Sequence, residues 1–131
     1  MSNRLLSHVI LTLVLTAALF SVSFADPDRD IEIELRISPN TIVIGSPGDW
    51  VTAHTDIAYS SVNTATVSLN AVPAAWTLAD NKGNLVAKFV RDDIENIITP
   101  PDALLTLTGV TIEGEYFSGS DVVRVIEREC R

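Results

Sequence analysis

Cysteine is almost absent: this chain of 131 residues has one, Cys130. No disulfide can form within the chain, so stability has to come from packing and hydrogen bonding. The one covalent link left open is an intermolecular bridge through Cys130. Histidine is nearly as scarce, with His8 and His54 the only two. Histidine-based metal binding and acyl transfer therefore have little to anchor them, and no Gly-x-Ser-x-Gly elbow is present to hold a nucleophile. Basic residues are few as well. Nine Lys and Arg stand against 17 Asp and Glu, for a formal net charge of −8. The basic residues are scattered singly among carboxylates, so there is no basic stripe to gain from counterion release, and nucleic acid is excluded as a partner.

Long apolar runs are also lacking, except for one. Arg4 is the only early charge, Val9 to Val22 form an apolar run, and Ser23-Phe24-Ala25 end it with small residues at the first and third of these positions. That order is the pattern of a secretory signal peptide, helical over its apolar part, cut between Ala25 and Asp26. The rival reading is an uncleaved anchor, but the run falls short of the roughly 20 residues that a spanning helix needs. Asp26 stands where a bacterial lipoprotein would need Cys. The expectation is a signal peptide over 1–25 and one domain over 26–131, secreted or periplasmic, with no membrane span after cleavage. Cleavage removes Arg4 and moves the net charge from −8 to −9.

What is abundant is alternation. Ile31, Ile33, Leu35 and Ile37 alternate with Glu32, Glu34 and Arg36, which predicts a half-buried strand. Pro39-Asn40 breaks it, Ile42 to Ile44 form a brief second strand, and Gly45 to Asp49 are a turn cluster. Alternation resumes from Trp50 to Ile57. From Thr66 to Ala71 it places Val67, Leu69 and Ala71 on the inner face. Trp76-Thr77-Leu78 and Leu85 to Val90 flank an Asn-x-Gly turn, which predicts a hairpin with Gly83 in the left-handed conformation. Asp92 to Ile98 is the one helical candidate, stopped by Pro100-Pro101. Ala103 to Ile112 and Ser120 to Glu127 complete the strands, with a bulge expected at Gly109, where the apolar phase shifts. About seven to eight short strands and one short helix predict an all-β, immunoglobulin-like antiparallel β-sandwich.

Few residues could carry chemistry. On its strand His54 shares a face with Trp50, Thr52 and Asp56, which reads as a polar binding patch, as a His-x-Asp half-site for a metal or, first, as a solvent-facing strand surface, because zinc sites typically need three or four protein ligands. Asp80-Asn81-Lys82-Gly83-Asn84 is similar to a shortened calcium loop, with Asp80 and Asn84 as the metal candidates. Lys82 occupies an acceptor position and Arg91 stands where a distal Glu is wanted, so a plain hairpin turn is the first reading and no cofactor is expected. Carboxylate pairs occur at Glu32/Glu34, Asp92/Asp93 and Glu113/Glu115 and read as solvated acidic edges. Trp50 and Trp76 are weighed between the core and sugar stacking.

Ser38-Pro39-Asn40-Thr41-Ile42, Gly48-Asp49-Trp50-Val51-Thr52, Val72-Pro73-Ala74, Asn84 to Arg91, Leu105 to Gly109 and Phe117 to Ile126 together resemble an uncharacterised immunoglobulin-like domain of exported archaeal and bacterial proteins. The resemblance spans Ile31 to Ile126. It implies a β-sandwich appendage without an activity to carry over, and a calcium-like loop longer than the Asp80–Asn84 segment of this chain. The function expected is that of a non-catalytic exported module acting by contact with a protein or cell-surface partner, in an adhesion, envelope-associated or accessory role. The alternative is a carbohydrate-binding domain using Trp50 or Trp76, and third comes a small hydrolase around His54.

Overall fold

The structure, a computed structural model, describes residues 30–128. The expected signal peptide, its cut at Ala25 and Asp26, and Cys130 lie outside the described residues. Ten strands follow in order: β1 (Ile31–Glu32), β2 (Leu35–Ser38), β3 (Thr41–Ile44), β4 (Trp50–Ala58), β5 (Val62–Leu69), β6 (Val72–Pro73), β7 (Trp76–Ala79), β8 (Asn84–Val90), β9 (Asp102–Thr111) and β10 (Tyr116–Glu127). A 3-10 turn at Tyr59–Ser61 links β4 to β5, and a five-residue helix, α1 (Arg91–Glu95), links β8 to β9. One sheet has four strands in the order β2-β4-β8-β7. The other has six, in the order β1-β10-β9-β5-β6, with β3 also paired to β10. The chain is thus all-β and sandwich-like, as its alternation predicts. The strand count exceeds seven or eight because the expected first strand is divided into β1 and β2 and because β6 has two residues, too few to leave a periodic signal.

The core lies between the sheets. Val51, Ala53 and Ile57 of β4 and Leu85, Ala87 and Phe89 of β8 meet Val67 and Leu69 of β5, Leu105 and Leu107 of β9, and Phe117, Val123 and Val125 of β10 in one buried cluster. Each large side chain so buried contributes about 1.5–3 kcal/mol of transfer free energy, a source of stability that needs no disulfide. No helix among the described residues is long and apolar enough to cross a membrane.

Five expectations are corrected by the structure. The continuous strand expected over 31–37 splits: β1 pairs parallel with β10, the chain crosses at Ile33 and Glu34, and β2 pairs antiparallel with β4. The crossing keeps Ile33 and Ile37 buried, because the core lies between the two sheets. Its backbone is tied down on both sides. The Ile33 amide donates to the Ser118 carbonyl (2.9 Å), that of Glu34 to Asp56 Oδ1 (3.0 Å) and that of Ile37 to Asp121 Oδ2 (2.8 Å). With β1 and β3 both parallel to β10, the sandwich is not wholly antiparallel.

Ala71, expected on the inner face, is instead exposed in a tight turn in which Asn70 and Ala71 have φ of 46° and 71°. Asn70 stitches that turn to β9: its Nδ2 donates to the Leu104 carbonyl (3.0 Å), and its Oδ1 accepts from the Thr106 amide (2.7 Å). Gly109 is not bulged either. Pairing of β9 with β10 runs without a shift from Asp102 to Val110, and the irregularity lies opposite, in β5 between Asn63 and Ser68. The apolar phase does not change, so Ile112 faces out, 70 % exposed. Gly109 serves contact: a Cβ there would collide with Cζ of the buried Phe117 ring. Finally, the helix spans Arg91–Glu95 rather than Asp92 to Ile98. Ile94 and Ile98 are buried as its spacing predicts, but Ile97 lies outside.

Candidate functional site

In β4 Val51, Ala53, Thr55 and Ile57 are buried, which turns Trp50, Thr52, His54 and Asp56 to the outer face of the four-stranded sheet. Register then sets their neighbours. Ser38 of β2, Thr52 of β4, Lys88 of β8 and Trp76 of β7 form one row across all four strands. Arg36, His54, Val86 and Leu78 form the next. On one side of these rows Trp50 pairs with Val90. On the other, Asp56, Asp80 and Asn84 line a depression together with His54 and Arg36. All six residues singled out in the sequence, Trp50, His54, Asp56, Trp76, Asp80 and Asn84, therefore lie on one sheet face or at its rim.

Neither tryptophan is core: Trp50 is 39 % and Trp76 55 % exposed. The Lys88 Nζ sits 5.5 Å from the centroid of the Trp76 ring, within the range where a cation is drawn to an indole face. Val86 is 5 % exposed although it lies outside the main core cluster. It forms the floor of a shallow depression whose walls include Ser38, Thr52, His54, Leu78 and Lys88.

The two carboxylates of the face are already engaged by backbone. Asp56 accepts from the Glu34 amide. Asp80 Oδ1 accepts from the amides of Lys82 (2.8 Å) and Asn84 (2.9 Å). The Asn84 amide foremost, with the Lys82 amide and charge behind it, holds the Asp80 carboxyl below the usual carboxylate range. Gly83 takes the left-handed conformation expected of it, with φ of 82°, and the segment closes as a hairpin between β7 and β8. Among the described residues no group of three or more His, Cys, Asp or Glu is placed to hold a metal ion.

Burial first, then the charge of the facing Arg36, pushes the His54 imidazole below its usual value. Its neighbours in the row are Arg36 and Val86. Of the paired carboxylates, Glu32 and Glu34 flank the crossing, Asp92 and Asp93 lie in the first turn of α1, and Glu113 and Glu115 lie at the β9–β10 turn, all in solvent-exposed or half-exposed positions.

Arg36, Ser38, Leu78, Val86 and Lys88 were not singled out in the sequence. A signal for Lys88 was there: the β7–β8 turn sets a register in which Ala79 meets Leu85 and therefore Trp76 meets Lys88. No such signal brings β2 beside β4. The resulting surface is flat, aromatic on two sides and cationic between them, with hydroxyls in the same row. Comparison of the chain with protein-family models, curated proteins and solved structures found no match.

Proposed function

We propose that the chain is an exported, non-catalytic β-sandwich module of the immunoglobulin-like kind, released by cleavage after Ala25, which acts by contact through the outer face of its four-stranded sheet. The observation that carries this reading is the exposure of Trp50 and Trp76 on that one face. A large aromatic left in water forfeits burial worth roughly 25 cal/mol per Å² of apolar surface, and a partner that covers it recovers that free energy. The immunoglobulin-like assignment, and membership of the exported domain that the sequence resembles, draw support from strand order. The sequence β2-β4-β8-β7 facing β5-β9-β10 matches the two sheets of such sandwiches. The partner is a protein or a cell surface, and the reading requires no cofactor.

Oxidative footprinting on cell-surface material of the producing organism tests it. Trp50 and Trp76 should be protected on binding. Protection confined to the six-stranded sheet, with both tryptophans still oxidised, would refute the reading. A second reading, that the face binds carbohydrate, is favoured by the combination of two exposed indoles with the Ser38 and Thr52 hydroxyls in the row that Trp76 ends. Planar aromatic faces suit the C–H faces of sugar rings, and hydroxyls suit their rims.

A further inference from the structure

We infer that the ligand of this face is an anionic polysaccharide, whose sugar rings stack on Trp76 and Trp50 and whose acid groups pair with Lys88 and Arg36. The inference rests on the reading of this face as the contact surface and names what it contacts. Charge distribution is the first argument. In a chain of net charge −8, the two central rows of this face hold Arg36, Lys88 and His54 and no carboxylate. Among the described residues neither Arg36 nor Lys88 is held in an ion pair, whereas Arg91 is buried and paired with Glu95. Three carboxylates stand at the rim: Asp80 lines the depression beside His54 and Lys88, and Glu34 and Asp56 line the one beside Arg36, Asp56 and Asp80 each accepting backbone amides. None of the three is in an ion pair with Arg36 or Lys88, which leaves both cations open to an incoming anion.

Shape is the second argument, and it separates a sugar chain from an acidic peptide. Trp50 and Trp76 sit on β4 and β7 with only β8 between them, two strand spacings or about 10 Å across the sheet. Lys88 lies between them in the sheet, its Nζ against the Trp76 ring. A flat surface with two separated indole faces and an intervening cation suits successive rings of a chain that bears acid groups. A peptide would instead take hydrogen bonds along a sheet edge and pockets for alternate side chains, whereas Lys88 and the Trp50 indole stand on the two inner strands of the sheet, away from its edges.

The test is fluorescence titration of the purified exported protein with three probes: an oligogalacturonate, a neutral gluco-oligosaccharide of the same length and an oligoglutamate. The oligogalacturonate should quench tryptophan emission, and rising salt should weaken it. Lys88→Gln and Arg36→Gln, both surface changes that leave the core intact, should each weaken it about two- to fivefold. Trp76→Ala should weaken it roughly tenfold or more. Equal binding of the neutral sugar, with both Gln variants unaffected, overturns the anionic assignment while leaving carbohydrate binding in place. Equal binding of oligoglutamate overturns the sugar and assigns an acidic peptide. If no probe binds while footprinting still finds both tryptophans protected on cell-surface material, the inference fails and the contact reading survives.

Discussion

Asp80 holds its hairpin through one oxygen. Two amides converge on Oδ1, and they stabilise the charged carboxylate over the neutral acid. Its pKa is depressed in the folded state, so the stabilisation is present above the ordinary value of 3.8 and is lost as pH falls through the lower folded value. Thermal melts taken through this acid range should lose stability in the parent protein, and Asp80→Asn should flatten that dependence. His54 is also depressed, and the pH dependence has the same sign, although here it is the neutral form that the fold favours. Below 6.5 the unfolded chain takes up the proton first, so stability drawn from neutral His54 is present above 6.5 and falls away as pH drops through the folded value. Replacing Arg36 with Gln should raise the His54 pKa in an NMR titration; an unmoved value would rule out the charge contribution. A sequence can name such residues, but their shifts depend on neighbours that arrive from other strands.

At the scale of elements, Gly109 and Phe117 form a cross-strand pair in which the ring takes the space of a missing side chain. Phe117 is fully buried and has nowhere to swing. Gly109→Ala should therefore cost about 1–3 kcal/mol in denaturant unfolding. Shortening the ring in the double variant with Phe117→Leu should recover part of that loss, the mark of a direct contact. The passage from β1 into β2 depends on the same kind of long-range fit, since the Glu34 amide of the crossing finds Asp56 on one sheet and the Ile37 amide of β2 finds Asp121 on the other. Much of the element level was legible in advance. The β4 alternation and the β7–β8 hairpin follow from local pattern and turn chemistry. The split of the first strand was not legible, because Ile31, Ile33, Leu35 and Ile37 keep one inner face whether the strand stays in one sheet or passes between two.

For the whole molecule, one core between two sheets has to hold the domain without an internal disulfide. Net negative charge keeps most of the surface solvated, while large apolar side chains reach solvent on both sheets, Trp50 and Trp76 on one and Leu104, Val122 and Ile126 on the other. The proposed export of the chain has its own test. Expressed in a secreting host, the protein should be recovered outside the cytoplasm with Asp26 as its first residue by N-terminal sequencing. Ala25→Leu should leave the precursor uncleaved; an unprocessed parent chain would overturn the signal-peptide reading.

By itself the sequence determined the all-β class, the inner face of most strands and the reliance on packing in place of disulfides. These follow from period-two alternation and from composition, both readable along the chain. The six candidate residues were legible one by one for the same reason. Only the tertiary structure decided that they share a face, that Trp76 stands in a row with Lys88, Thr52 and Ser38, and that Gly109 is matched to Phe117. Alternation says which way a side chain points, whereas which strands become neighbours depends on burying both inner faces at once and satisfying every edge, a condition set by the whole chain.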